Sequence, residues 1–290
     1  MKIHFFTKNN ELLDYLDEEQ DWDIFHRKYI IDIVKQVEKN IQQHQYGDEI
    51  NFIVSKNLKK LPNLKNMVVF LYTPHEWHYV PDYSKQENVL IFKNYFDKTV
   101  YREHTSIHGF PLPPLSSMSM RDCPPLKERE NDVYFSGQSH SRQSFFEKYM
   151  RIKDRLEKSF IDKKIKIQFN PNFYGGITPE EYDNDLINSK ICLCPRGASV
   201  ETFRYSECLK RGNIIISEKM PDAWYYENSP AITIGDWTNV GHYLKRLLSD
   251  KEAMQKLSNL SKNHWEKNFS EAAVARYIFE KINQKKWRNK

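Results

Sequence analysis

The chain has 290 residues, enough for two domains of ordinary size, and 39% of them are apolar, as expected of a folded protein. The net charge of +5 is spread over interleaved acidic and basic residues, which disfavours a nucleic-acid-binding protein. No apolar run reaches the roughly 20 residues of a spanning helix, and the apolar run within residues 1–10 is too short for a signal peptide, so the sequence predicts a cytoplasmic protein.

The N-terminal half alternates apolar runs with one long amphipathic pattern. Apolar residues between Ile24 and Gln43 recur at helical spacing, and the flanking short runs are typical of buried strands. This order predicts an open α/β sheet. The predicted strands are Lys2–Phe6, Ile50–Val54, Met67–Tyr72 and Asn88–Phe92.

Three ionisable side chains, His75, Glu76 and His78, follow the strand Met67–Tyr72. Ligand-binding loops gather at the carboxyl ends of parallel strands, so this loop is the candidate source of a catalytic base. Glu76 is the first choice, because desolvation among aromatic side chains raises the pKa of a carboxylate. Two histidines without a third ligand make a weak zinc site, and a structural role for each histidine stays open. Further candidates on this side are Lys93–Tyr95, Asp82 and His108.

A proline-rich segment, Pro111–Pro125, divides the chain and contains five prolines. The predicted organisation is a first domain at 1–112, a linker at 113–130, a second domain at 131–269, and a C-terminal helix at 270–290 that crosses back to the first domain. The basic end, Lys285–Lys290, allows peripheral contact with anionic lipid at the inner membrane face. A solvated tail is the alternative.

The C-terminal half begins a second alternating series. Thr178, Pro179 and Glu181 form the start signal of a helix. Cys192 and Cys194 fall on one face of a predicted strand, which indicates apolar packing of free thiols in a reducing compartment. The predicted strands are Asp132–Phe135, Ile165–Phe169, Ile191–Cys194, Asn213–Ile216 and Ala231–Ile234. The predicted helices cover Phe145–Phe160, the segment after Thr178, the segment before Arg211, Asn239–Leu248, Lys251–Asn268 and Ser270–Lys281.

The most informative stretch is Cys194–Glu207, a Pro-Arg-Gly loop that leads into a helix between two buried strands. We expect the helix to open near Ser199, where free amides and the positive end of the helix dipole favour an anion. Arg196 and Arg204 flank this opening in an expected solvent-facing position, which suits a diphosphate. Glu207 lies on nearly the same face and could accept hydrogen bonds from ribose hydroxyls.

Two observations have plainer interpretations. Glu207 and Arg211 have the i, i+4 spacing of an ordinary surface salt bridge. The Asp-x-Asp pairs Asp21/Asp23 and Asp183/Asp185 do not follow a strand, as a metal-dependent transferase would need, and we expect both pairs to be solvated. The arginine-rich loop therefore predicts leaving-group stabilisation without a metal.

Three strings within Cys192–Ser217 resemble the nucleotide-sugar-binding core of exostosin-like glycosyltransferases: Cys-Leu-Cys-Pro-Arg-Gly, Thr-Phe-Arg-Tyr-Ser-Glu-Cys-Leu and Gly-Asn-Ile-Ile-Ile-Ser. Upstream, Pro179–Lys190 and Phe135–Gly137 with Arg142 resemble the helix before this core and the first strand and loop of the donor domain. The resemblance covers roughly the C-terminal half. Glu218 departs from it, since many relatives have Asp or Asn there.

The resemblance implies a GT-B architecture, an α/β fold of two Rossmann-like domains with an interdomain cleft. It also implies an inverting transfer from a nucleotide sugar, with UDP the expected nucleotide and no further cofactor, to a glycan or lipid-linked glycan. A non-catalytic nucleotide- or glycan-binding subunit of a polysaccharide synthase complex is the alternative. The expected donor-binding residues are Gly137, Arg142, Arg196, Gly197, Ser199, Thr202, Arg204 and Glu207.

Overall fold

The computed structural model divides the chain into two compact units. The first consists of Met1–Leu112, Pro221–Glu227 and Asn268–Lys290, and the second of Pro113–Met220 and Asn228–Lys267. Each unit has a sheet built mainly from parallel strands, which confirms the predicted α/β class. The structure describes residues 2–6, 12–13, 27–43, 50–55, 64–71, 88–101, 106–114, 123–171, 176–285 and 287.

The described elements alternate along the chain. The strands are β1 (Lys2–Phe6), β2 (Leu12–Leu13), β3 (Asn51–Ser55), β4 (Met67–Leu71), β5 (Val89–Lys93), β6 (Ile107–Gly109), β7 (Asn131–Gln138), β8 (Ile165–Asn170), β9 (Ser189–Cys194), β10 (Ile214–Ser217) and β11 (Ile232–Thr233). The helices are α1 (Arg27–Gln43), α2 (Lys98–Tyr101), α3 (Gln143–Ser159), α4 (Pro179–Ile187), α5 (Phe203–Arg211), α6 (Val240–Leu248), α7 (Lys251–His264) and α8 (Glu271–Gln284). Within these ranges, no helix is both long enough and apolar enough to cross a bilayer.

The first unit has the strand order β2-β1-β3-β4-β5-β6, with all pairs parallel except β1 and β2. Strands β4 and β5 are buried along their whole length, which explains their unbroken apolar sequence. The rings of Phe52 and Phe92 stack on either side of Phe70. Helix α1 packs against α8, so the C-terminal helix is part of this unit.

The second unit has the strand order β8-β7-β9-β10-β11, and every pair is parallel. The chain leaves β7 toward β8 on one side, and then returns to build β9, β10 and β11 on the other side. The order therefore reverses between β7 and β9. In open parallel sheets, ligands bind beyond the carboxyl ends of the strands at such a reversal.

Local signals explain the helices that flank β9. Thr178 and Glu181 form the predicted reciprocal cap of α4, and Pro179 occupies its first position. Helix α5 ends at Gly212, which has the left-handed conformation (φ +67°) that glycine adopts without strain. Cys194 and Cys208, on β9 and α5, are both buried and their sulfur atoms lie 4.0 Å apart, so the predicted apolar packing of Cys192 and Cys194 is confirmed.

The two aspartates of α4 are buried, so the expectation that Asp183 and Asp185 are solvated is wrong. Asp183 forms an ion pair with Arg211, and the Asp185 carboxylate lies 2.6 Å from Lys166. Local sequence does not indicate these partners, because Arg211 lies on α5 and Lys166 on β8. The pairs join α4 to α5 and to β8.

We expect Asp183→Asn to destabilise the second unit by about 3 kcal/mol or more, because the Arg211 guanidinium would remain buried without its counter-charge. The side chains of this pair are only 5% and 4% exposed, so solvent cannot compensate. Urea unfolding of the variant measures the change. Asp154→Asn, on the exposed face of α3, is the matched control and should shift the free energy of unfolding by less than about 0.5 kcal/mol. Equal unfolding midpoints for the two variants would contradict this role of Asp183.

Candidate functional site

Two loops meet at the reversal of the second sheet. The β7 loop (residues 139–142) and the β9 loop (residues 195–202) follow the carboxyl ends of adjacent strands. Arg142 lies between them: a methyl group placed on Gly137 would be 3.4 Å from its Cζ, and one placed on Gly197 would be 3.3 Å from its Nη2. The two glycines therefore permit a close approach of this guanidinium that a larger residue would obstruct.

Arg204 approaches the same point from α5. A methyl group on Gly137 would lie 3.2 Å from its Nη2, which donates a hydrogen bond to the Ser136 carbonyl. Its guanidinium also lies 4.7 Å from the Phe135 ring centroid and 5.8 Å from that of Tyr182. Two separately predicted arginines thus converge on one glycine at the end of β7.

The expectation that Arg204 faces solvent is wrong, since the residue is only 6% exposed. Its Nε and Nη1 atoms are buried and have no hydrogen-bond partner among the described residues. Arg196, by contrast, is exposed as expected. A buried guanidinium with unused donors is costly unless a further acceptor satisfies them, so this geometry favours an anionic ligand.

The two guanidinium groups influence each other electrostatically. Burial lowers the pKa of Arg142 to about 10, and the positive charge of Arg204 contributes to the same shift. Burial also opposes the charge of Arg204, but Tyr182, Cys194, Tyr134 and Glu207 outweigh it and raise the pKa of Arg204 overall. Both groups are therefore cationic at neutral pH, and they concentrate positive charge at the carboxyl edge of the sheet.

Helix α5 begins later than predicted, at Phe203 with Thr202 as its N-cap, and Ser199 lies in the preceding loop. The Ser199 carbonyl accepts a hydrogen bond from the Gly197 amide at 2.7 Å, which closes the β9 loop on itself. The Thr202 side chain makes no capping bond, and its buried hydroxyl has no partner among the described residues. A hydroxyl without a partner at a helix start is a suitable hydrogen-bond donor for an anion.

The β9 loop is also fixed from the neighbouring strand. Glu218, directly after β10, accepts a hydrogen bond from the Trp237 indole at 2.9 Å and one from the Arg196 amide at 3.4 Å. The longer side chain at this departure from the exostosin-like pattern thus joins Trp237 to the loop that carries Arg196.

Glu207 is buried, with 1% of its surface exposed, and accepts a hydrogen bond from the Tyr182 hydroxyl at 2.8 Å. The alternative of a surface salt bridge with Arg211 is therefore wrong: Arg211 is also buried and forms its ion pair with Asp183. The Arg211 guanidinium does donate a long hydrogen bond, at 3.4 Å, to the backbone carbonyl of Glu207. The negative charge of Glu207 is one of the contributions that raise the pKa of Arg204.

Among the described residues, no group of three or more His, Cys, Asp or Glu side chains is arranged so that it could hold a metal ion. Asp183 and Asp185 are engaged by Arg211 and Lys166. Asp21 and Asp23 lie outside the described residues. Metal independence stays a prediction from the arginine-rich loop.

The predicted catalytic residues His75, Glu76 and His78 lie outside the described residues, as does Asp82. In the first unit, His108 packs against the rings of Phe92 and Tyr277, which also contact each other. Burial, together with Lys281 and Lys285, lowers the pKa of His108 to about 4, so it is neutral at pH 7.

Lys93 and Asn94, further candidates at the end of β5, are fully buried. The Lys93 ammonium donates to the carbonyls of Asn94 at 2.9 Å and of Tyr95 at 3.2 Å. This points to a structural role for Lys93, in which it holds the turn after β5.

The structure adds residues that the sequence did not single out for the site. Phe135 and Tyr182 enclose the Arg204 guanidinium, and Ser136 accepts its hydrogen bond. Asn170, at the end of β8, donates to the Ser136 hydroxyl at 3.1 Å and so supports the end of β7. Phe135, Ser136 and Tyr182 fall within the segments Phe135–Gly137 and Pro179–Lys190 that resemble the exostosin-like family, whereas the only signal for Asn170 is its position at a strand end.

Comparisons with known proteins give similarities of structure only. No protein-family profile and no curated protein sequence matches the chain. Solved structures that are similar include sucrose-phosphate synthase from Thermosynechococcus elongatus (12% identity, 94% of this chain and 80% of that one, TM-score 0.48). Another is AviGT4, a glycosyltransferase involved in avilamycin A biosynthesis (11% identity, 87% of this chain and 88% of that one, TM-score 0.46). A third is a glycosyltransferase from Rickettsia africae ESF-5 (10% identity, 94% of this chain and 85% of that one, TM-score 0.47). At these values the likeness identifies no substrate and no residue of this chain, and membership of the exostosin-like family stays a prediction.

Proposed function

We propose that the chain is a glycosyltransferase whose second unit binds a nucleoside-diphosphate sugar at the carboxyl edge of its sheet. The observation that carries this proposal is the convergence of Arg142 and Arg204 on Gly137, at the reversal between β7 and β9. Two cations, close-approach glycines and a helix N-terminus are the parts that a diphosphate needs. The resemblance of Cys192–Ser217 to exostosin-like enzymes supports the same site.

Each part of the site has a role in this proposal. Arg142 and Arg204 neutralise the diphosphate as it leaves, with the amides at the start of α5 and the Thr202 hydroxyl as further donors. Arg196, exposed on the β9 loop, contacts the outer phosphate, and Glu207 accepts from the ribose. With this much positive charge from side chains, the leaving group needs no metal.

The donor is UDP-linked, and the acceptor is a glycan or a lipid-linked glycan. The base that deprotonates the acceptor hydroxyl comes from the loop after β4, with Glu76 as first choice. An inverting reaction needs one such base and no covalent intermediate. This acceptor side of the proposal rests on the sequence alone.

Thermal unfolding with UDP, GDP, ADP and CMP tests the donor site. A nucleotide present at 100 times its dissociation constant should stabilise the protein by about 2.7 kcal/mol, and we expect UDP to give the largest shift. No shift with any of the four would contradict the proposal.

Arg196→Ala should weaken UDP binding by about 1.5–3 kcal/mol, the range for hydrogen bonds to charged groups, and leave stability unchanged because the side chain is exposed. Calorimetric titration with UDP measures the affinity. Arg151→Ala, which removes an exposed arginine from α3 in the same unit, is the matched control and should bind as the wild type does. If both variants bind UDP with wild-type affinity, Arg196 does not contact the bound nucleotide.

A further inference from the structure

Tyr182 belongs to α4, outside both loops of the donor site, yet it contacts two of the residues on which that site depends. Its ring centroid lies 5.8 Å from the Arg204 guanidinium, and its hydroxyl donates to Glu207 at 2.8 Å. One side chain thus contacts both Arg204, which is proposed to bind the diphosphate, and Glu207, which is proposed to bind the ribose.

The ring of Tyr182 completes an enclosure of Arg204. Phe135 covers the guanidinium from β7 at 4.7 Å, Tyr182 from α4, and the Ser136 carbonyl accepts from its Nη2. Cation–π contacts with two aromatic rings and one hydrogen bond restrict the guanidinium to one orientation. Its buried Nε and Nη1 donors have no hydrogen-bond partner among the described residues in that orientation.

The hydroxyl of Tyr182 holds the Glu207 carboxylate in place. Burial raises the pKa of Tyr182 well above its ordinary value; Arg204 opposes this shift and Glu207 adds to it, so the hydroxyl stays protonated and donates. Because Glu207 is buried, rotation of its carboxylate would break this bond where water cannot replace it. Helix α4 itself is held rigidly by the Thr178–Glu181 cap and the Asp183–Arg211 pair.

We propose that Tyr182 is a positioning residue of the donor site, which sets the Arg204 guanidinium with its ring and the Glu207 carboxylate with its hydroxyl. The inference rests on the proposed function. It implies that recognition of the diphosphate and recognition of the ribose depend on different parts of one side chain and can be separated by substitution.

Two variants separate the two contacts, with inorganic pyrophosphate, UDP and 2′-deoxy-UDP as the probes in calorimetric titrations. Tyr182→Phe keeps the ring and should reduce the preference for UDP over 2′-deoxy-UDP about threefold to tenfold, with pyrophosphate affinity unchanged. Tyr182→Leu removes the ring as well and should also weaken pyrophosphate binding about threefold to tenfold. A loss of stability alone would leave the UDP to 2′-deoxy-UDP ratio at its wild-type value.

Glu207→Gln and the double variant Tyr182→Phe/Glu207→Gln complete a cycle. If the hydroxyl acts through Glu207, the double variant should lose no more ribose preference than Glu207→Gln alone. Tyr149→Phe, which removes a hydroxyl from the core of the same unit, is the control and should behave as the wild type.

The outcomes distinguish this inference from the proposed function. Wild-type protein that binds none of the three probes would overturn both. Binding that depends on Arg204 but is the same in Tyr182→Phe, Tyr182→Leu and the wild type would overturn the role of Tyr182 and leave the donor site in place. Additive losses in the cycle would also overturn it, because Tyr182 would then not act through Glu207.

Discussion

Arg204→Met is expected to lose both stability and nucleotide binding. The substitution keeps an apolar stem of similar length but leaves the Glu207 carboxylate buried without its neighbouring cation. It also removes the hydrogen bond that the guanidinium donates to the Ser136 carbonyl, and a hydrogen bond from a charged group contributes about 1.5–3 kcal/mol. The loss of charge-assisted hydrogen bonds should weaken pyrophosphate binding by about 1.5–3 kcal/mol, or roughly 10- to 150-fold. Urea unfolding and calorimetric titration measure the two effects.

A double variant separates these effects. Arg204→Met/Glu207→Gln removes both charges, so much of the stability should return while pyrophosphate binding stays weak. Stability that recovers together with wild-type pyrophosphate affinity would show that Arg204 is a structural residue of the second unit and not part of the donor site.

Glu76→Gln is expected to have the largest effect on turnover. Proton transfer by a positioned side chain typically contributes 10²–10⁴-fold, so kcat should fall by about that factor once a donor and acceptor pair is found. UDP affinity should not change, because the diphosphate ligands lie in the second unit. Glutamine keeps the shape of the side chain and removes its basicity, and His75→Ala and His78→Ala, measured alongside, identify which of the three groups accepts the proton.

Full activity in all three variants would move the base to Asp82 or His108. Of these, His108 is packed against two aromatic rings, and burial lowers its pKa to about 4, which makes it a weak base at neutral pH. Nucleotide binding without transfer to any acceptor would instead support the alternative of a non-catalytic subunit.

The strands around the site could be predicted from the sequence because each is a short, unbroken apolar run. Ile191–Cys194 and Asn213–Ile216 differ from β9 and β10 by no more than two residues at either end. Parallel strands buried on both faces need such runs, so the pattern is local and strong. The strand order, which places β7 beside β9, depends on pairing between distant segments and came only from the structure.

The start of α5 was predicted too early because Ser199 and Thr202 are both acceptable N-caps, and the sequence does not distinguish them. The hydrogen bond from the Gly197 amide to the Ser199 carbonyl selects the later start, because it keeps these residues in a loop. Helix boundaries that depend on such loop contacts are not encoded in local propensity.

The burial of charged residues could not be predicted from the sequence either. From the sequence, Arg204 is expected to face solvent, Asp183 to be solvated, and Glu207 to contact ribose or form a surface salt bridge, because charged side chains are normally exposed. Their partners, Tyr182, Phe135 and Arg211, come from other elements of the second unit, so only the tertiary structure shows that these charges are compensated. The residues of the proposed donor site could be chosen from the motif, whereas the contacts that hold them in place could not.

The most direct test of the donor site is a crystal structure of the protein with UDP, grown in the presence of magnesium. We expect the diphosphate to lie between the β7 loop and the β9 loop, within hydrogen-bond distance of Arg142 and Arg204, with no cation bridging it to the protein. A diphosphate bound elsewhere on the chain, or held at these loops through a magnesium ion on a carboxylate, would contradict it.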